Sequence, residues 1–292
     1  MVIKSAFYGA GDKTINVTTR LQQDIIVKKN ILVSNGYFGV DPCPGVIKKL
    51  TITLENEKEH VFVENTPCYF ETLNDSFYTK DRIGIFYTNN KLKDIILNKS
   101  LDTILRAKIF SGKTEIIVCS QKVKSQNYFI EIESLFKNNH HANIATQILQ
   151  ALHAVKNYNH FKYVSFLEHD VLYPEDYFNY PDFEEDCTCN DNFIGVCGTG
   201  FQQKKQNDQP LHQMTMKYGY AVNYFEKLIL TYLKGEFSML EPPIKHRCFN
   251  KNPSIHVNHG KSFTSHYNIY SKTTTQEDPY WGEFSNYSNL FL

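Results

Sequence analysis

Tyr163-Val-Ser-Phe-Leu-Glu-His-Asp170 is a short apolar run that ends abruptly in two carboxylates and an imidazole. Length and composition make it a buried strand. A buried strand that ends in Glu168-His169-Asp170 loses hydration free energy unless a cation or an ionic partner offsets the charge, which marks the tripeptide as a candidate site. Carboxylate oxygens and an imidazole nitrogen suit Mg2+ or Mn2+, ions that bridge protein carboxylates to substrate phosphates. An acidic strand end can also be a helix cap or an ion-pair partner, and the tripeptide alone does not choose.

Working outward, Ile83-Gly-Ile-Phe-Tyr87 reads as a strand, Leu97 to Ile109 has helical apolar spacing, and Thr114-Glu-Ile-Ile-Val-Cys119 reads as a second strand. Together they form a β-α-β unit with a right-handed parallel crossover. A helix from Ala142 to Val155, apolar at Ile144, Ile148, Leu149 and Leu152, leads into the Tyr163 strand. Ligands of open α/β sheets lie beyond the carboxyl ends of the strands, so Tyr87-Thr88-Asn89, Ser120-Gln121 and Glu168 to Asp170 should converge on one crevice. The predicted architecture is α/β over residues 79–292, a mainly parallel, Rossmann-like sheet flanked by helices. Residues 1–78 carry short alternations broken by turn signals such as Ser34-Asn-Gly36, and Lys49–Leu54 with His60–Val63 reads as a hairpin. They predict a small all-β, sandwich-like domain.

From Asp81 onward, these strands, helices and the acidic strand end occur in an order that resembles the glycosyltransferase A fold, nearest to family-2-like enzymes. The resemblance implies a metal-dependent transfer of a sugar from a nucleoside-diphosphate sugar, a UDP-sugar, to an acceptor hydroxyl with inversion. The acidic motif of that fold, usually Asp-x-Asp, holds the metal and the donor diphosphate. In this chain it is Glu-x-Asp, with Asp170 as the Mn2+ or Mg2+ ligand and Glu168 on the donor. Metal-dependent members often add a C-terminal histidine, which singles out His259 first and His266 second from the run His256-Val-Asn-His259 to His266. The end of the second strand departs from the family: Cys119-Ser120-Gln121 stands where many members carry an Asp that contacts the base. Tyr87, Thr88 and Asn89 are then the expected base and ribose contacts, with Ser120 and Gln121 beside them. The first domain resembles a small C-terminal domain of some J-domain cochaperones, through Tyr8-Gly, Asn16-Val-Thr18, Asp41-Pro-Cys-Pro-Gly45, Lys49-Leu-Thr-Ile52 and His60-Val-Phe-Val63. There a binding or packing module without catalysis is expected.

Other residues are candidates by their chemistry. Lys261, with Ser262, Thr264 and Ser265, can hold diphosphate oxygens. Trp281, in Asp278-Pro-Tyr-Trp281-Gly282, can cover a sugar face or pin the C-terminal tail to the core. The general base that an acceptor hydroxyl needs falls among Asp278, placed first, Glu241, Glu277 and His212. The acceptor itself, whether glycan, protein, small molecule or modified nucleobase, is open.

Thirty-one basic residues balance 31 acidic ones, so net charge does not suggest a duplex or anionic-membrane binder. Seven cysteines, an odd and scattered count, suggest reduced thiols; Cys187-Thr-Cys189 with Cys197 and Cys248 lacks the CxxC spacing of common zinc modules. Met1 to Ala10 has no signal-peptide pattern and no apolar run approaches the roughly 20 residues of a span, so a cytoplasmic address is expected. Abundant Asn, Lys, Ile, Tyr and Phe fit an AT-rich coding genome, as in many viruses or low-GC bacteria. Two alternatives are a nucleotidyltransferase, which normally shows a Gly-rich phosphate loop absent after Tyr87, and a non-catalytic sugar- or nucleotide-binding adaptor, against which the intact Asp170 with His259 and His266 argues.

Overall fold

The computed structural model describes all 292 residues except 1, 28–30, 72–75, 89–91, 121–128, 132–139, 157–160, 205–209, 237, 239, 243–245, 249, 259–269 and 292. The chain divides into two units: Met1–Asp81 with Lys156–Phe161, and Arg82–Val155 with Lys162–Leu292.

In the first unit, alternation decides the strands. Leu50, Ile52 and Leu54 are buried, whereas Lys49 is exposed and Thr51 and Thr53 are half-buried. The elements are β1 (Ile3–Ala10), β2 (Lys13–Asn16), α1 (Thr18–Ile26), β3 (Ile31–Leu32), α2 (Asn35–Phe38), β4 (Lys49–Leu54), β5 (Glu59–Val63), β6 (Pro67–Glu71) and β7 (Ser76–Tyr78). One antiparallel sheet runs β2-β1-β4-β5 and a smaller one β3-β6-β7. The expectation of an all-β domain needs correction, because α1 is a helix of nine residues. Leu21 and Ile25, four residues apart, share one face and bury it in a core with Ala6, Tyr8 and Leu50. Two phenols in this unit rest on carboxylates. Tyr8 donates to Glu64 at 3.0 Å, and Tyr37 donates to Asp24.

The second unit contains β8 (Arg82–Thr88), α3 (Asp94–Ser111), β9 (Thr114–Ser120), β10 (Phe129–Glu131), α4 (His140–Ala154), β11 (Tyr163–Glu168), β12 (Val171–Leu172), β13 (Cys187–Asn190), β14 (Phe193–Cys197), β15 (Gly200–Lys204), β16 (Met214–Lys217), α5 (Tyr218–Leu233), β17 (His246–Cys248), β18 (Ser254–Val257), β19 (Tyr270–Thr275), β20 (Glu277–Asp278) and β21 (Gly282–Glu283). A seven-stranded sheet has the order β10-β9-β8-β11-β16-β13-β17. From β10 to β11 neighbours are parallel; β16 is antiparallel to both β11 and β13. A second sheet runs β12-β18-β14-β15-β19.

β8 is buried along its whole length, as expected of a strand covered on both faces. On one face Phe86, Leu167 and Phe178 pack with Leu97, Ile104 and Ala107 of α3. On the other, Phe166 of β11 meets Phe225 of α5 with ring centroids 5.3 Å apart. Gly84 has a steric reason in the middle of β8: a Cβ there would stand 2.6 Å from Ile116 Cδ1 and 2.8 Å from Leu167 Cδ1. No described helix is long and apolar enough to cross a membrane. Cys43, Cys68 and Cys197 are free thiols.

Candidate active site

β9, β8 and β11 are adjacent and parallel, so their carboxyl ends share one edge of the sheet. Glu168 lies opposite Tyr87, and Thr88 lies opposite Ser120. The strand direction changes at β11. Because β16 runs antiparallel, its beginning lies where β11 ends, and the 3-10 turn Leu211–Gln213 that enters β16 carries His212 to Glu168.

The Glu168 carboxylate is clasped from two sides. Tyr87 donates its hydroxyl to Oε1 at 2.5 Å, and His212 Nδ1 stands 3.2 Å from Oε2. Its backbone is held as well: Glu168 N–H donates to the Tyr173 hydroxyl at 2.8 Å, and Ser100 of α3 donates to the carbonyls of Glu168 and Val171. Burial pushes the Glu168 pKa up. The hydrogen bond and charge of His212, helped by the Tyr87 hydroxyl, outweigh burial and the nearby Asp170, and hold the carboxyl below its ordinary value. About a quarter of its side chain is exposed, so an ionised carboxylate faces the crevice. Burial, then the charge of Glu168, holds the Tyr87 phenol well above its usual pKa.

Asp170 forms a second pair. It is buried, its Oδ2 is 3.4 Å from His256 Nε2, and its carbonyl accepts from Val257 N–H at 2.7 Å. β12 and β18 bring this about by placing Val171 opposite His256. The His212 and His256 rings lie 5.5 Å apart, so the two carboxylate–imidazole pairs are neighbours. His169, between them in sequence, has a buried Nδ1 with no hydrogen-bond partner among the described residues.

The structure treats the sequence candidates unequally. Tyr87 and Thr88 reach the site, but both are buried; Tyr87 orients Glu168 rather than offering an open ring. Ser120 is described only as the last residue of β9. Asn89, Gln121, His259, Lys261 and His266 lie outside the described residues. Glu241 is half-buried, and its charge is felt at the hydroxyls of Tyr87, Tyr224 and Tyr232, which puts it within electrostatic reach of the site's edge. Asp278 belongs to the β20–β21 hairpin, where its Oδ1 accepts the N–H groups of Tyr280 at 3.0 Å and Trp281 at 2.9 Å. Trp281 donates to the carbonyl of Pro253 at 2.8 Å and packs beside Leu172, Ile194 and Tyr287, so it pins the tail. Of the three clustered histidines, His256 lies among the described residues and stands beside Asp170. The sequence offered a cue in its place within an apolar alternation, Ile255 and Val257 facing a core.

Asp170 offers oxygens of the kind Mn2+ or Mg2+ takes, while the His256 ring beside it is engaged at both nitrogens, Nε2 with that carboxylate and Nδ1 with Tyr270. Both Glu168 oxygens are already engaged, and among the described residues no group of three or more His, Cys, Asp or Glu is arranged to hold a metal ion. The described residues do not complete a cation site.

No family model and no curated protein sequence matches this chain. Solved structures with similarity include a glycosyltransferase involved in glycosylation of the major capsid of PBCV-1, with 11% identity, 64% of this chain and 96% of that chain covered, and a TM-score of 0.38. A fragment of S. aureus TarS in complex with UDP-GlcNAc has 10% identity, 65% and 63% coverage, and a TM-score of 0.38. A mutant Drosophila β-1,4-galactosyltransferase 7 in complex with manganese, UDP-Gal and xylobiose has 7% identity, 68% and 82% coverage, and a TM-score of 0.36. Likenesses this distant do not by themselves assign a fold or an activity.

Proposed function

We propose that this protein is a glycosyltransferase of the A-fold type that binds a nucleoside-diphosphate sugar, a UDP-sugar, and passes the sugar to an acceptor hydroxyl. The observation that carries the reading is the place of Glu168 and Asp170. Both stand at the carboxyl edge of the parallel strands, where the strand order reverses: β9 and β10 are added on one side of β8, and β11 is laid on its other side. Open α/β sheets bind nucleotides at such a switch point.

In this reading Glu168, kept ionised by His212, accepts hydrogen bonds from donor hydroxyls, and Tyr87 with His212 holds it there. The acceptor oxygen attacks the anomeric carbon, the bond from that carbon to the diphosphate oxygen breaks, and the acceptor proton passes to a carboxylate. Glu241 is the base candidate within electrostatic reach of the site, while the turn around Asp278 engages that carboxylate. A single displacement of this kind inverts the anomeric centre. Dependence on Mn2+ or Mg2+ belongs to the same reading: Asp170 would help hold the ion, which would offset charge on the leaving nucleoside diphosphate. Residues 79–292 are proposed as the transferase domain and residues 1–78 as a packing or acceptor-selecting module.

The test is slow hydrolysis of a panel of sugar nucleotides, with and without Mn2+ or Mg2+, by the wild type and by Asp170→Ala. Release of one nucleoside diphosphate is expected, reduced about 100-fold or more in Asp170→Ala, the scale on which preorganised electrostatic groups act. A folded wild type that neither turns over nor binds any of these nucleotides would overturn the reading in favour of a non-catalytic adaptor.

A further inference from the structure

The imidazole beside Asp170 is itself held from behind. His256 Nδ1 lies 3.2 Å from the hydroxyl of Tyr270, while Nε2 faces Asp170 Oδ2. A carboxylate only accepts hydrogen bonds, so the contact is favourable when Nε2 carries the proton. In the neutral ring Nδ1 is then the acceptor and the Tyr270 hydroxyl must donate. For the neutral ring the polarity is therefore Tyr270 O–H to Nδ1 and Nε2–H toward Asp170, and the tautomer of a neutral histidine is set in this way by the partner of its other nitrogen.

Tyr270 is anchored well enough to impose that choice. It opens β19 opposite Lys204, just past a register shift in β15, and is only 2% exposed. Its ring lies against Gly195 of β14: a Cβ on Gly195 would stand 3.0 to 3.1 Å from Cδ1, Cγ and Cε1 of that ring. Gly195 is not among the glycines with positive φ, so its backbone does not demand glycine. The demand comes from the space that Tyr270 occupies.

We propose that Tyr270 is a positioning residue of the site: its hydroxyl fixes the His256 tautomer that orients Asp170, and Gly195 leaves room for its ring. The functional consequence rests on the glycosyltransferase reading, whereas the tautomer does not. The experiment compares full-length wild type, Tyr270→Phe, Gly195→Ala and the double variant. Proton–nitrogen correlation spectra of the imidazoles are expected to show His256 protonated on Nε2 alone in the wild type, and a mixture of tautomers in Tyr270→Phe. Donor hydrolysis is expected to fall about tenfold in Tyr270→Phe, a modest share of the hundredfold that misplacement can cause, in a variant that stays folded with its melting temperature lowered by the loss of one buried hydrogen bond. Gly195→Ala should lose activity in the same direction, and the double variant should lose no more than Tyr270→Phe, because both act through one ring. A wild-type tautomer in Tyr270→Phe overturns the proposal whatever the activity. A changed tautomer with undiminished hydrolysis overturns its functional half. Absence of both donor turnover and nucleotide binding in the wild type would instead sink the glycosyltransferase reading and leave the tautomer result standing.

Discussion

Glu168→Ala is expected to destabilise the protein by about 2–4 kcal/mol, somewhat less than the cost of breaking a fully buried, hydrogen-bonded charge pair, because a quarter of the Glu168 side chain meets solvent. The substitution leaves two groups stranded at once. The Tyr87 phenol loses its 2.5 Å acceptor and the His212 ring loses the carboxylate 3.2 Å away. Burying such groups without partners, more than losing the attraction itself, sets the size of the effect. Glu168→Gln, which keeps an oxygen for one neighbour, should lose roughly half as much. Urea unfolding read as a shift of midpoint at constant slope checks this. A loss below about 1 kcal/mol would rank the pair with surface ion pairs, and Glu168 could then not be the fixed ionised group that donor binding requires. Donor hydrolysis by Glu168→Ala should be lost in step.

Phe166→Ala is expected to cost about 3–5 kcal/mol, for a different reason. Phe166 is fully buried in β11 and faces Phe225 of α5. Truncation removes a ring from between a central strand and a helix that is held elsewhere along its length, for instance by the Tyr218 hydroxyl on the Leu152 carbonyl at 2.6 Å. The space therefore stays open instead of collapsing. A measured loss under 1.5 kcal/mol would show that α5 follows the missing ring inward, and a crystal structure of the variant would then show the helix displaced.

The sequence was legible where pattern and neighbours agree. β8 was expected at Ile83–Tyr87 and spans Arg82–Thr88; β11 was expected at Tyr163–Leu167 and spans Tyr163–Glu168; the helix expected from Ala142 to Val155 is His140–Ala154. These elements are covered by apolar neighbours, so their periodicity is clean. The second sheet is different. Its strands are two to six residues long, and polar His256 and Ser254 are buried beside apolar residues, which erases the alternation a reader looks for. The helix α1 was hidden by its length, since nine residues rich in polar side chains give a weak signal.

The site was half legible for a related reason. A tripeptide at a strand end is local and can be seen in sequence, whereas the partners of its carboxylates arrive through tertiary pairing. His212 lies 44 residues from Glu168 and meets it only because β16 is antiparallel. Asp278 stood out beside aromatic residues, yet its carboxylate closes its own turn on the N–H groups of Tyr280 and Trp281, a role short acidic side chains commonly take. Nothing in a linear reading separates a carboxylate that caps a turn from one that faces a ligand.

The phenol resting on a carboxylate, seen at Tyr8 with Glu64, Tyr37 with Asp24 and Tyr87 with Glu168, sets a limit on the alkaline side. In each case burial first, and the carboxylate second, raises the phenol's pKa above its ordinary value. A raised pKa means that the folded chain keeps a proton the unfolded chain would release, so this stabilisation is intact below roughly pH 10 and drains away above it. Both units carry the device, and both begin to lose it above roughly pH 10, the second at the residue that orients Glu168.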